Sequence, residues 1–165
     1  MIIKSFELNK IDYKTKFFLL YGNNQGHKNQ IIEEKFKEKY SDCTYNYDEG
    51  EILKGKEFFF ENILSQSFFE QEKLIIINRA TDKIKDIIDE IIEKKITDIV
   101  IVLNSNTLEK KSKLRVLFEK KKSTICIPFY EDTNQTLSAI INLFFRERKI
   151  PISQQLINLI TNRCR

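Results

Sequence analysis

The amino-acid sequence predicts an α/β domain over residues 1–130, with a five-stranded parallel sheet covered by helices on both faces. Short, continuous apolar runs alternate along the chain with segments whose apolar residues recur at helical spacing. The runs FFLLY, LIII and IVIVL are apolar at every position, as expected for strands that are buried on both faces. Regular alternation of such strands with helices is typical of βαβ units, which pair their strands in parallel.

Each element of this pattern can be placed along the chain. The predicted strands are Phe17–Tyr21, Cys43–Tyr47, Leu74–Ile77, Ile99–Leu103 and Thr124–Ile127. Helices are predicted between them over residues 25–40, 51–64, 81–92 and 107–121. Thr81 and Thr107 are the expected N-caps of the last two helices. Gly55 lies inside the second helix and weakens it by about 1 kcal/mol relative to alanine.

The pattern changes after Pro128, where two helical segments follow each other without a strand between them. The first has its apolar residues between Leu137 and Phe145, and the second follows Pro151 with Ser153 as its expected N-cap. We therefore predict that residues 131–165 begin a small helical domain. Two helices are thin for an independent core, so the chain is expected to be part of a longer protein.

Composition and charge exclude several classes of protein. The chain has 165 residues with a formal net charge of +4, which permits nucleic acid as a partner without arguing for it. No apolar stretch is long enough to span a membrane, and the N-terminus lacks the features of a signal peptide, so we expect a cytoplasmic protein without a membrane partner. Three scattered cysteines and a single histidine do not form a zinc-binding pattern, and we expect no cofactor.

A glycine-containing turn follows the first predicted strand, where a phosphate-binding loop would lie. A working loop reads GxxxxGK[ST], whose lysine and hydroxyl bind phosphate and magnesium. In this chain Gly22 and Gly26 are one residue too close, His27 separates Gly26 from Lys28, and Asn29 replaces the hydroxyl. The predicted central strands also end without a carboxylate to orient magnesium. A degenerate loop that binds no nucleotide is favoured, and an NTPase with a divergent phosphate loop is the alternative.

Two further segments leave alternatives open. Residues 109–122 hold seven lysine and arginine residues, which form either a solvated helix face or a surface for a nucleic-acid backbone. On the first interpretation Lys111, Lys113 and Lys121 face solvent. The connector before the third strand holds two adjacent aromatic residues, Phe68 and Phe69. They either pack in the core or form an exposed contact for a partner.

The chain resembles the delta-subunit family of bacterial DNA polymerase III in the order of five segments: FFLLYGNN, CTYNYDE, LSQSFFEQEKLIIINRA, DIVIVLNSNTLEKKSKLRVLFEKK and ICIPFYED. The stretch SQSFFEQEKLIIINRA is the most specific of these, and Ser112-Lys113-Leu114 inside the lysine-rich segment is a second match. The resemblance implies a RecA-like, AAA+-like first domain, a helical lid that begins in residues 131–165, and a C-terminal collar domain that is absent from this chain.

The resemblance also implies a function. Delta is a clamp-loader subunit that does not hydrolyse ATP, binds the sliding clamp, and helps to open it for loading onto primed DNA. Its partners would include the other loader subunits through the missing collar domain. The family contacts the clamp with a small polar residue followed by two hydrophobic residues, which are Ser67, Phe68 and Phe69 here. A glutamine that often begins this motif corresponds to Leu64, and Gln66 is the neighbouring candidate to replace it.

Overall fold

The computed structural model describes residues 2–3, 15–40, 43–64, 72–96 and 98–164 of the chain. The chain divides into two compact units, Met1–Phe129 and Tyr130–Arg165. Within the described residues, no helix has the length and apolar character needed to cross a membrane.

The first unit is built on a parallel sheet, and the predicted five-stranded parallel sheet is confirmed. Its strands lie in the order β2-β3-β4-β1-β5. Their bounds are β1 (Phe17–Tyr21), β2 (Thr44–Asp48), β3 (Lys73–Asn78), β4 (Ile99–Ser105) and β5 (Thr124–Pro128). The first strand has the predicted bounds, and the others differ from them by one or two residues.

Helices cover both faces of this sheet, as predicted. They are α1 (Gln25–Ile31), which continues as a π-helix over Ile32–Lys37, α2 (Glu49–Lys54), α3 (Lys56–Leu64), α4 (Lys85–Glu93) and α5 (Lys113–Lys120). Because side chains alternate along a strand, Phe17 and Leu19 belong to one apolar core while Phe18 and Leu20 belong to the other. The first core also contains residues of α2, α3, α4 and α5, and the second contains residues of α1 and the π-helix.

Two predicted helices differ most from their expected bounds in the structure. The segment 51–64 forms two helices, because Gly55 is non-helical (φ −129°, ψ 52°) and ends α2. The same glycine accepts the hydrogen bond from Phe59 N that begins α3, at 2.9 Å. Thr107 is not an N-cap, because its hydroxyl donates to the Asn23 side chain. The helix begins after Ser112 instead, where the Asp82 carboxylate accepts a hydrogen bond from Leu114 N at 3.0 Å.

The second unit contains two helices, α6 (Asn134–Glu147) and α7 (Gln154–Arg163). Ser153 is the N-cap of α7, as predicted, and its hydroxyl accepts a hydrogen bond from Leu156 N at 3.3 Å. The two helices pack with Ile157 and Thr161 of α7 buried. Several apolar side chains of this unit remain exposed, among them Ile140, Leu143, Phe144, Leu156 and Leu159.

Candidate functional site

The predicted clamp contact lies mostly outside the part of the chain that the structure describes. Gln66, Ser67, Phe68 and Phe69 belong to residues 65–71, which are not described, and Leu64 is the last residue of α3. These five residues therefore stay a prediction. The structure does describe the two elements that this segment joins, α3 before it and β3 after it.

The helix α3 is fixed to the body of the first unit on one side. Phe59 and Ile63 are 2% exposed and belong to the apolar core. Phe60 packs against the core beneath two ammonium groups, with Lys56 Nζ 5.5 Å and Lys94 Nζ 4.5 Å from its ring centre. The ammonium of Lys56 also forms a 3.0 Å ion pair with Glu90 of α4. These contacts determine which side of α3 faces the solvent.

The start of β3 is fixed by main-chain and ionic contacts. Leu74 N donates to Cys43 O at 2.9 Å, and the side chain of Glu72 forms an ion pair with Lys16. Partial burial acts to raise the pKa of Glu72, but hydrogen bonds from Lys16 and Tyr40 together with the lysine charge lower it overall. The predicted contact segment is thus anchored at both of its ends.

The glycine-containing turn lies at the carboxyl ends of the strands, away from the amino end of β3. Gly22 follows the carboxyl end of β1, whereas the predicted clamp contact precedes the amino end of β3. All five strands are parallel, so the carboxyl end of β1 and the amino end of β3 lie at opposite ends of the sheet's strands. Clamp binding at residues 64–69 would therefore not require the turn after β1.

The turn after β1 packs tightly against the chain that follows β5. Gly22 has φ +128°, and a Cβ at this position would lie 2.0 Å from Phe129 O. Phe129 N donates to Tyr21 O at 2.7 Å, and the ring of His27 meets the Phe129 ring edge to face at 5.0 Å. The Asn24 side chain accepts from His27 N at 3.1 Å and caps α1. Protein groups therefore fill the turn from several sides.

Lys28, the candidate phosphate-binding lysine, is directed into the protein. Its side chain is fully buried, and its ammonium donates to the main-chain oxygen of Ser105 at the end of β4. Burial lowers the pKa of Lys28, because the charged form loses its hydration. In this position the lysine stabilises the carboxyl end of β4.

The polar residues at the strand ends bond to each other. Asn104 of β4 donates to the Asn78 side chain of β3 at 3.2 Å, so two amides meet at the carboxyl ends of these neighbouring strands. Glu49, after β2, is buried and accepts hydrogen bonds from Thr81 N at 2.7 Å and from the Thr81 hydroxyl. This carboxylate was not predicted from the sequence, although its place directly after a strand was the available signal. Within the described ranges, no group of three or more metal-ligating residues could hold an ion.

The lysine-rich segment has one side in the core and one in solvent. Leu114, Leu117 and Phe118 of α5 are buried, as predicted. Lys111 and Lys113 are exposed, as predicted, whereas Lys121 is only partly exposed to solvent. Lys121 is half-buried and pairs with Asp89 of α4. The hydrogen bond from Lys121 is the largest cause of the lowered pKa of Asp89.

We expect the exposed lysines and Lys121 to differ in their effect on stability. Replacing Lys111 and Lys113 by glutamine should change the free energy of unfolding by no more than a few tenths of a kcal/mol, because both are on the surface. Lys121→Gln should cost up to about 1 kcal/mol, because it removes a partly exposed ion pair. Since the pairing lowers the pKa of Asp89, this difference should be present at neutral pH and disappear as the pH falls through that lowered pKa.

Urea denaturation of the double variant and of Lys121→Gln at pH 7 and at a series of lower pH values measures this difference. Equal losses for the two variants at pH 7 would contradict the assignment of Lys121. A large loss of DNA affinity in the Lys111→Gln/Lys113→Gln variant would show that this segment binds nucleic acid instead of only covering the core.

Comparisons with known proteins place this chain among replication proteins. The family model for the delta subunit of DNA polymerase III matches residues 18–128. The DNA clamp loader delta protein of Bacillus subtilis has a similar fold, with a TM-score of 0.58 at 12% sequence identity, and the match covers 93% of this chain and 49% of that chain. This chain thus spans about half the length of the Bacillus protein.

Domain III of the replication initiation protein DnaA from Thermotoga maritima also matches, with a TM-score of 0.43 at 11% identity over 95% of this chain and 72% of that chain. No curated protein sequence matches the chain. The fold agrees with the AAA+-like architecture that the sequence resemblance implied. Because the family model covers more than half of the residues, the chain belongs to the delta-subunit family of DNA polymerase III.

Proposed function

We propose that this protein is a non-catalytic clamp-loader subunit that binds the sliding clamp and helps to open it for loading onto primed DNA. The observation that carries this proposal is the family match over residues 18–128, which spans the whole predicted contact segment. In the assembled loader its partners would be the clamp, the other loader subunits and primed DNA. Residues 131–165 would form the start of the helical lid.

The clamp would be bound by Phe68 and Phe69, which form an apolar plug after the small polar residue Ser67. Leu64 and Gln66 would lie at the border of this contact. The anchored ends of the segment support the assignment, because Leu64 before it belongs to α3 and Glu72 after it pairs with Lys16. A segment held at both ends loses less conformational entropy on binding than a free one.

A non-catalytic role is supported by the turn after β1. Nucleotide hydrolysis of the P-loop type needs a lysine near the phosphates and a carboxylate that orients magnesium. Here the ammonium of Lys28 is bonded to Ser105 O, and the amides of Asn78 and Asn104 occupy the ends of the central strands. For a nucleotide to react, other residues would have to supply both the phosphate-binding lysine and the carboxylate that orients magnesium.

Direct measurement of clamp binding tests the proposed function. Purified chain is passed over an immobilised sliding clamp from the same species, with an unrelated ring-shaped protein as the control surface. We expect saturable binding to the clamp alone. Absence of binding at micromolar concentrations, which are well above the dissociation constants of ordinary stable protein complexes, would contradict the proposal.

We also expect that the protein does not bind or hydrolyse ATP. Magnesium and ATP should leave the melting temperature unchanged, whereas a site filled at 100 times its dissociation constant would add about 2.7 kcal/mol of stability. Lys28→Met is the matched variant, because methionine keeps an unbranched apolar chain without the ammonium. Phosphate release above the buffer blank that is lost in Lys28→Met would favour an NTPase with a divergent loop.

A further inference from the structure

We propose that the groove between α4 and α5 is a docking site for an acidic amphipathic helix of a partner protein. The groove has a volume of about 460 Å³, which lies in the usual range for ligand-binding clefts. Four lysines surround two aliphatic residues in its lining, which consists of Lys85, Lys113, Val116, Leu117, Lys120 and Lys121. The structure describes all six residues. None of them belongs to the proposed clamp contact, and the partner would be a protein other than the clamp.

The spacing of α5 places its lining residues on one side of the helix. Positions 113, 116, 117 and 120 follow the repeat of a single helix face, so their side chains form one stripe. Leu117 is also part of the apolar core, whereas Val116 beside it is half-buried. The floor of the groove is therefore the outer margin of the core, and lysine side chains border it.

Polar contacts at both ends of α5 fix the groove. At the first turn of the helix, the Asp82 carboxylate accepts hydrogen bonds from the Ser112 hydroxyl and from Leu114 N. After the last turn, Lys121 forms an ion pair with Asp89 of α4. The two helices are thus held beside each other without a ligand, so binding a partner requires little further ordering of this surface.

Two of the lysines at the groove already have carboxylate partners. Lys85 pairs with Asp86 at 2.9 Å and with Asp89 at 3.4 Å. Asp89 also pairs with Lys121, so this carboxylate lies between two ammonium groups. The charges of these two lysines and two aspartates cancel, and the positive charge of the groove comes from its other lysines.

Those other lysines are Lys113 and Lys120, at the two ends of the stripe on α5. Both are exposed, and neither forms an ion pair with a residue that the structure describes. Asp82 lies close enough to Lys113 to interact with its charge, but the same carboxylate is bonded to the first turn of α5. Each end of the stripe therefore carries an ammonium group that an incoming carboxylate can approach.

An aliphatic floor between two ammonium groups specifies an amphipathic partner. Lys113 and Lys120 are seven positions apart, which is about 10.5 Å along the axis of α5. Two acidic residues seven positions apart on a partner helix have the same separation, and apolar residues between them would cover Val116 and Leu117. Docking of an amphipathic helix into an apolar groove is a recurring mode of recognition.

The same floor argues against a nucleic-acid backbone in the groove. Phosphates are bound by arginine, lysine and other hydrogen-bond donors, and single strands also stack their bases on aromatic rings. Of these groups, the lining contains lysine alone. A phosphate placed over Val116 and Leu117 would lose water there without gaining a hydrogen bond. An apolar surface bordered by carboxylates matches both the floor and the lysines.

Peptide binding to the full chain tests this site. The probe is a fluorescein-labelled helical peptide of about 15 residues. It has two glutamates seven positions apart, leucines between them, and alanine and glutamine elsewhere. Fluorescence anisotropy should show saturable binding. Replacing the leucines of the peptide by serine should raise the dissociation constant at least about tenfold, because the apolar floor is then left uncovered.

The lysine-rich segment offers a matched pair of variants. Lys113→Gln/Lys120→Gln should raise the dissociation constant of the peptide about tenfold, because it removes both approachable charges of the groove. Lys110→Gln/Lys122→Gln makes the same change in net charge outside the groove, and it should stay within about twofold of the unmodified protein. All four lysines are exposed, so melting temperatures should agree within about 2 °C. Clamp binding should be unchanged in both variants.

Four results would overturn the proposal. Absence of saturable peptide binding, or equal binding of the leucine and serine peptides, would remove the amphipathic partner. Equal losses in the two double variants would show only general attraction between a basic surface and an acidic peptide. Binding of a thymidine oligonucleotide that is weakened by Lys113→Gln/Lys120→Gln and not by the control variant would assign the groove to nucleic acid. Lost clamp affinity in the groove variant alone would make the clamp the occupant and leave the proposed function standing.

Discussion

Replacing Phe68 and Phe69 together by alanine is expected to weaken clamp binding by about 2–5 kcal/mol, or roughly 30- to 5000-fold in the dissociation constant. Burying one phenylalanine fully is worth about 1.5–3 kcal/mol. Anchors of this kind carry most of the energy of an interface, because they fill pockets from which water is excluded. The loss should appear mainly in the dissociation rate.

The same double variant should fold nearly as well as the unmodified protein. The described cores of the first unit are built from the strands and from the inner sides of the helices, and α3 contributes Phe59 and Ile63 to them. Phe59→Ala, in the helix α3 that precedes the undescribed segment, is the matched control. Phe59 is 2% exposed, so its truncation should cost about 3–5 kcal/mol of unfolding free energy.

Urea denaturation and clamp binding at one temperature separate the two variants. Low affinity with an unchanged urea midpoint in Phe68→Ala/Phe69→Ala, and the reverse in Phe59→Ala, is the expected result. Early unfolding of the double variant, with normal clamp binding by its folded fraction, would show that Phe68 and Phe69 belong to the core. The functional part of the family resemblance would then fail.

The sheet could be predicted from the sequence because four of its five strands are buried on both faces, β2 being the exception. A strand such as Ile99–Ser105 must be apolar at nearly every position, and so its sequence differs from that of an amphipathic helix. The isoleucines of the helix after Thr81 were equally clear, and Ile84, Ile88 and Ile91 are fully buried. In these elements the local pattern and the packing agree.

Helix ends and polar contacts were harder to predict, because they depend on residues that are distant in sequence. The helix α5 begins after Ser112 and not after Thr107, because the Asp82 carboxylate accepts hydrogen bonds from the Ser112 hydroxyl and from Leu114 N. Asp82 lies thirty positions before Ser112 in the chain. The contact between Lys28 and Ser105 O joins residues 77 positions apart, and no local sequence pattern predicts it. Phe58 has the same chemical type as its buried neighbour Phe59, so only the packed helix distinguishes a surface residue from a core residue.

Gly22→Ala is expected to destabilise the first unit by roughly 2–6 kcal/mol. The φ of +128° at Gly22 is one that residues with a Cβ rarely adopt, and such strain costs about 1–3 kcal/mol. The added methyl group would also lie 2.0 Å from Phe129 O, which is main chain and cannot rotate away. Relieving that overlap would shift the Phe129 backbone, and overpacking of this kind adds about 1–3 kcal/mol.

Two other glycines provide matched controls. A Cβ at Gly50 of α2 would meet nothing within 4 Å, and at Gly26 of α1 only the Asn24 side chain at 3.9 Å. Alanine at either helical position should stabilise the protein by about 0.4–1 kcal/mol, because it restricts the unfolded chain. Circular dichroism during urea denaturation would measure all three variants.

The contrast between Gly22 and Gly26 also shows what the turn is for. In a phosphate-binding loop both glycines let the main chain approach the ligand, so alanine at either position would damage binding. Here the close approach at Gly22 is to Phe129, and a Cβ at Gly26 has room. We therefore expect Gly22→Ala to lower stability and Gly26→Ala to leave clamp binding unchanged. A urea midpoint for Gly22→Ala equal to that of the unmodified protein would show that this packing against Phe129 is not what requires the glycine.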